Sequence, residues 1–220
     1  MAMLSYIVLG LFAVGALADT VVINEAVDQL LDSAKFVLVQ KGQNKIALKD
    51  LTKNFNTKIF GVNVPGTFAA SAGLVQDLAT LHRTGDVVLT TEGAKMQLKF
   101  AMGFERLSLE YGHYDFKFMS IVSNGRIDVS TAGSSVAAAI GVLKDGTKCI
   151  ASADSAQLVT LGETKITFTG PQVLNQFLSM VLNWVLENFD STIKVVVNAK
   201  LQEALKAGLA KTDICARLPH

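Results

Sequence analysis

The chain has 220 residues, half of them apolar and only 18% charged, which excludes a disordered polymer. Twenty Lys and Arg against nineteen Asp and Glu leave a net charge of +1, so a global basic field for holding nucleic acid is absent. Three His and two Cys are too little material for a multi-ligand zinc site.

Met1–Ala18 reads MAMLSYIVLGLFAVGALA. Its apolar middle is short for a membrane span, and it ends in Ala16-Leu17-Ala18, the small-x-small pattern of signal peptidase. Residues 1–18 are therefore expected to be a signal peptide and 19–220 a single secreted, extracellular domain. No second apolar run reaches spanning length without polar breaks, so no transmembrane segment is expected. Export places Cys149 and Cys215, the sole cysteines, in an oxidising compartment, where one intramolecular disulfide is the simplest outcome. No Asn-x-Ser/Thr acceptor occurs.

Residues 21–40 have helical spacing. Ile23, Val27, Leu30, Leu31, Ala34 and Leu38 share a side, and Gly42 suits the stop. Lys41, Lys45, Lys49, Lys53 and Lys58 follow, against the single acid Asp50. Two readings stand for them: a solvated face, or a contact for anionic lipid headgroups.

From Phe60 to Gly170 the period becomes two. In Lys95–Glu105, Met96, Leu98, Phe100, Met102 and Phe104 alternate with Lys95, Gln97, Lys99, Ala101 and Gly103, as in a strand with one buried face. The phase shifts at Leu107 and again after Gly112, where a bulge, bend or turn is expected. Asn124-Gly125 and Asp145-Gly146 are hairpin signals. Ile127–Thr131, Val136–Val142, Gln157–Leu161 and Lys165–Thr169 read as further strands. Strands at hairpin spacing with no helix between them predict an antiparallel sheet.

Pro171 can open a helix. Polar residues then recur every three or four positions, from Gln172 through Lys194, Asn198 and Gln202 to Lys206, on an otherwise apolar segment. That pattern predicts one helix over 172–206, apolar around most of its circumference and hence enclosed. The expected fold class is α+β: a curled antiparallel β-sheet wrapped around a long C-terminal α-helix, with a shorter N-terminal helix.

That order of segments, with Gly73-Leu74 and the strand up to Val88, Gly93–Tyr111 (GAKMQLKFAMGFERLSLEY), Ile127–Val129 and Gln172–Leu205, resembles the group 7 mite-allergen-like proteins of arthropods. Those are similar to one half of the bactericidal/permeability-increasing protein fold, within the tubular lipid-binding superfamily. The resemblance implies a non-enzymatic, cofactor-free protein able to hold a lipid or another apolar ligand. Juvenile-hormone-binding and Takeout-like relatives carry an N-terminal Cys pair that is absent here, which weighs against a hormone carrier. The Cys149–Cys215 pairing rests on this sequence alone.

The ligand is expected between sheet and helix. From the strand it would meet Met96, Leu98, Phe100, Met102 and Phe104; from the helix, Phe177, Met180, Val181 and Trp184. Thioethers and aromatic rings there fill irregular space and tolerate varied shapes. The competing reading is that these side chains are fully packed core. A second function remains open, recognition of lipid or microbial surfaces without a deep pocket. His113 near Asp115 could serve acid–base chemistry, but no Gly-x-Ser-x-Gly nucleophile elbow accompanies it, and no phosphate-binding glycine loop is present. No catalytic or metal site is expected.

Overall fold

The structure is a computed structural model and describes residues 23–146, 148–170 and 193–218. Helix α1 covers 23–40, and all six side chains expected on its apolar side are buried. Gly42 adopts φ +66, and Gln43 N donates to Leu38 O at 2.8 Å while Gly42 N donates to Val39 O at 3.0 Å. These are the two backbone bonds of a left-handed helix stop.

Among the described residues eleven strands follow: β1 (Ile46–Leu48), β2 (Leu51–Ile59), β3 (Val62–Gln76), β4 (Leu81–Arg83), β5 (Val88–Glu92), β6 (Lys95–Phe104), β7 (Leu107–Phe118), β8 (Ile121–Ala132), β9 (Ser135–Asp145), β10 (Lys148–Thr160) and β11 (Glu163–Phe168). Helix α2 covers 193–209, and a single 3-10 turn, Cys215–Arg217, follows it. The expected helical stretch before 193 lies outside the described residues.

All strand pairs are antiparallel, in two sheets. One runs β1-β3-β7-β8-β11 with β2 also on β3; the other runs β10-β9-β6-β4 with β5 also on β6. We call them sheets A and B. Each long strand of A continues into the strand of matching rank in B: β3 into β4, β7 from β6, β8 into β9, β11 from β10. The molecule is thus one curled ribbon of long strands with a waist. The phase shift at Glu105-Arg106 is this crossing.

Polar side chains pin the waist. Asp77, in the left-handed region at φ 71, accepts from Arg106 Nε at 3.1 Å and from the Ser108 hydroxyl. The Thr80 hydroxyl lies 2.8 Å from Asp77 O and 2.7 Å from Arg106 O. Buried Ser134 accepts from Phe104 N at 3.1 Å. Burial pulls the Asp77 carboxyl upward, and the bonds from Ser108 and Arg106 with the charges of Arg106 and Lys45 outweigh it, holding the group below its ordinary value.

Two sequence expectations are corrected, for Asn124-Gly125 and for Val195. Asn124-Gly125 is not a hairpin: it lies inside β8, and the β7–β8 turn is Met119-Ser120. Gly125 instead admits the chain after β11, since a Cβ there would stand 1.8 Å from Thr169 O. The lysine-rich stretch is partly strand, with β1 and β2 spreading Lys45 to Lys58 over about 40 Å of sheet edge at ~3.3 Å per residue. Val195, expected on the enclosed side of the last helix, is 71% exposed, whereas Val197 is fully buried.

Other expectations are met. The Gly112 phase shift is a bulge: Tyr111 pairs Ile127 and Tyr114 pairs Gly125, leaving an extra residue on β7. Asp145-Gly146 leads the β9–β10 hairpin. Cys149 and Cys215 form a disulfide that ties β10 to the turn after α2.

Candidate ligand-binding interior

β6 is a central strand of sheet B, between β9 and the β4/β5 edge. Its alternation turns Leu98, Phe100, Met102 and Phe104 inward, all buried, with Met96 partly buried at the outer end. The structure brings these five onto one inner face, in one apolar cluster with the buried side chains of α1 and α2. Phe177, Met180, Val181 and Trp184 lie outside the described residues.

The two helices run antiparallel over sheet B. Ser33 meets Thr212 at 2.9 Å, and Gln43 Nε2 donates to Glu203 Oε1 at 2.8 Å. Near the first of these points the backbones close up: a Cβ on Gly208 would be 3.1 Å from Leu30 O and 3.2 Å from Ala34 N. α1 holds one side of the sheet. Arg83 donates twice to Asp28, at 2.8 and 2.9 Å, and Val87 N donates to Asn24 Oδ1 at 2.9 Å. α2 holds the other side. Leu158 N donates to Asn198 Oδ1, and Gln202 Nε2 donates to Ala153 O, both at 2.6 Å. β10 is an edge strand of sheet B, so Asn198 and Gln202 satisfy groups that would otherwise stand open to pairing. Part of the polar stripe read from sequence is thus a clamp on an edge rather than a solvated face.

Glu203 sits where the helices meet. Bonds from Gln43 and Lys200, against a small desolvation, and the charges of Lys200 and Lys41 lower its carboxyl to about 2. Lys41, first of the lysine series, approaches Glu203 Oε1 at 3.7 Å.

Under sheet A the inner face is aromatic. Phe55 stacks on Phe116 and Phe118 with centroids 6.0 and 5.7 Å apart, Phe68 stacks on Tyr114 at 6.1 Å, and Phe168 meets Tyr114 edge-on at 5.5 Å. Gly66, paired with Phe55, makes room, since a Cβ there would be 2.3 Å from the ring. Sequence reading did not count Phe55, Phe68 and Tyr111 among ligand candidates. The available signal was the same alternation, in Phe68/Ala70 and Phe116/Phe118.

Polar groups inside are few, and among the described residues one buried side-chain atom, Gln43 Oε1 at the junction of the helices, has no hydrogen-bond partner. Among the described residues the buried polar side chains are Ser123, Thr131 and Ser134. Ser123 lies 3.1 Å from the Tyr114 hydroxyl, which also donates to Thr169 O at 3.1 Å, and Thr131 donates to Leu107 O at 3.3 Å. Tyr111 OH donates to Lys49 O at 3.2 Å, and burial, aided by the Asp50 charge, pushes its phenol up to about 12. Such an interior offers dispersion and desolvation rather than ion pairing. Grooves of about 470 and 460 Å³ lie on the outer faces and carry polar residues, Gln97, Ser152 and Asp154 in one, Asp77, Arg106 and Lys165 in the other; they are not the interior. His113 Nε2 is 3.0 Å from Asp115 on the exposed outer side, and His82 lies beside Thr80 O.

The architecture is that of the bactericidal/permeability-increasing-like proteins. The crystal structure of lipopolysaccharide binding protein is similar over 84% of this chain, with TM-score 0.50 and 18% identity, and this chain spans only 38% of that protein. Takeout 1 of Epiphyas postvittana is also similar, over 74% of this chain and 80% of its own, with TM-score 0.36 and 15% identity. No curated protein matches in sequence. The group 7 allergen family model matches residues 22–209, and the chain belongs to that family.

Proposed function

We propose that the protein is a secreted, non-enzymatic binder of lipid or another hydrophobic ligand, held between the curled sheet and the helical layer. The observation that carries this reading is the inner face of β6: two Met, two Phe and a Leu continuous with one apolar cluster across both sheets. The fold is shared with a protein named for binding lipopolysaccharide, which supports an amphiphile as the ligand class. Met96, Leu98, Phe100, Met102 and Phe104 form the sheet side of the proposed site, and Phe177, Met180, Val181 and Trp184 the helix side. The disulfide supports an extracellular location, and maturation at Asp19 is part of the same proposal.

Organic extraction of purified protein followed by mass spectrometry should yield a stoichiometric lipid. Fatty-acid affinity should rise with chain length, by about 0.8 kcal/mol per methylene, and change little with salt. Phe100→Ala should weaken binding in a folded protein. Affinity independent of chain length, or unchanged in Phe100→Ala, removes β6 from the site.

A further inference from the structure

The far end of sheet A is shaped by two hairpin tips that go against both backbone and solvent preference. Phe60, first central residue of the β2–β3 turn, sits at φ 48 and is fully exposed. Met119, at the β7–β8 turn, sits at φ 55 and is 63% exposed. Asn, Asp and Gly take such positions readily; bulky apolar side chains do not. Solvent exposure of such side chains, gathered at one end of the sheet rather than scattered singly, is the second disfavoured choice. A residue choice disfavoured on both counts, made at two neighbouring apices, points to a use for the side chains rather than for the turns.

The rest of this end fits that use. Gly66 pairs with Phe118 in the last row shared by β3 and β7, and the β2–β3 ribbon continues four residues further to Val62. At ~3.3 Å per residue it reaches about 13 Å past the sheet, carrying Phe60 and the exposed Val62 at its end. Leu51–Gln76 contains no Asp or Glu, nor does Phe116–Ile127. Lys58 and Lys117, both exposed, flank the apolar apices. Apolar apices each flanked by a lysine, in segments without a carboxylate, match the boundary of an anionic bilayer, where acyl chains lie beneath negative headgroups.

We propose that this end of sheet A docks on anionic lipid bilayers, the sheet inclined so that the projecting Phe60 and the shorter Met119 turn both enter below the headgroups, with Lys58 and Lys117 at headgroup level. The proposal rests on the lipid-binding reading for its purpose, to bring the interior to a membrane where ligand is exchanged. Its geometry stands independently.

Phe60→Asn/Met119→Asn removes the apolar groups and relieves the turns, so the variant should be at least as stable as the parent. Flotation with phosphatidylcholine vesicles containing phosphatidylglycerol should show binding that falls with salt. The double variant should lose about tenfold or more, from one buried aromatic side chain alone. Lys58→Gln should lose about fivefold, the worth of one cation at an anionic surface. Val195→Asn, which removes an exposed apolar side chain from α2 instead, should bind like the parent. Failure of the parent to bind vesicles, parent-like binding by the double variant, or an equal loss in Val195→Asn overturns the proposal. So does a parent homodimer dissolved by the double variant without vesicle affinity, which would assign the tips to a second copy. Fatty-acid binding in vesicle-free solution reports separately on the interior. Its absence beside tip-dependent vesicle binding would sink the ligand reading and uphold docking.

Discussion

Asn198→Ala tests whether the helical layer is fastened to sheet B through backbone groups of its edge. In the parent, Asn198 Oδ1 accepts from Leu158 N at 2.6 Å in a part-buried setting. The substitution removes the acceptor and leaves an edge N–H beneath α2. A net hydrogen bond is worth about 0.5–1.5 kcal/mol, and stranding a buried donor costs about 1–3 kcal/mol. Loss of the remaining side-chain contacts adds little, because Asn198 projects to the strand rather than into the core. The expected destabilisation is therefore about 1–3 kcal/mol, or about 2–10 °C in Tm for a domain of this size. Urea unfolding with the disulfide intact measures the first, and amide hydrogen exchange gives the sharper readout. The Leu158 amide should exchange faster by a factor set by local opening, while the Ile140 amide, in central β9, should follow global stability only. Asn198→Asp retains an acceptor oxygen and should keep most of the protection. Unchanged Leu158 exchange in Asn198→Ala would refute the clamp.

Two further outcomes are expected. The stability contributed by Asp77, whose folded carboxyl is held below the ordinary 3.8, is fully present above that value and is lost as pH falls through the lower folded one. Arg106→Gln should therefore move the acid-unfolding midpoint, followed by circular dichroism, to higher pH, and an unmoved midpoint would remove the waist ion pair from the argument. Val197→Asp, at a fully buried position, should cost several kcal/mol or force the new carboxyl to stay neutral, while Val195→Asp, 71% exposed, should fall within about 0.5 kcal/mol. Equal urea midpoints for the two would contradict the assigned face of α2.

Legibility followed the range of the physics. Met96 to Phe104 could be read because alternation is local and one face is buried. Leu30 to Leu38 could be read for the same reason at helical period. The Gly112 bulge announced itself as a phase change. Asn124-Gly125 misled because the same dipeptide serves a turn and a close approach, and the partner that needs the space, Thr169, lies over forty residues away in sequence. Asn198 and Gln202 looked solvated because nothing local tells a polar group facing water from one facing an edge strand. The waist was visible only as a slip at Glu105-Arg106, and the division into two sheets needs the pairing of β3, β7, β8 and β11 on one side of it. The interior site was half legible: the β6 face could be predicted, while the aromatic floor of sheet A depends on Phe55 crossing Gly66 to reach Phe116 and Phe118.

The short links that carry the chain through the waist from one sheet to the other have a consequence for tolerance and for folding. Because β6, β8 and β10 each run within two residues into a strand of the other sheet, a two-residue slip in sheet A would displace its continuation in sheet B by the same two residues. Neither sheet can therefore settle its register alone, and the pair should unfold in a single cooperative step rather than as separable lobes. Length can change freely only where strands turn back, at Phe60-Gly61, Gly93-Ala94, Met119-Ser120 and after Asp145. Insertions arising in the family are expected to collect at those reversals, and the two ends of the molecule become the places where relatives can diverge in what they touch while sharing one interior.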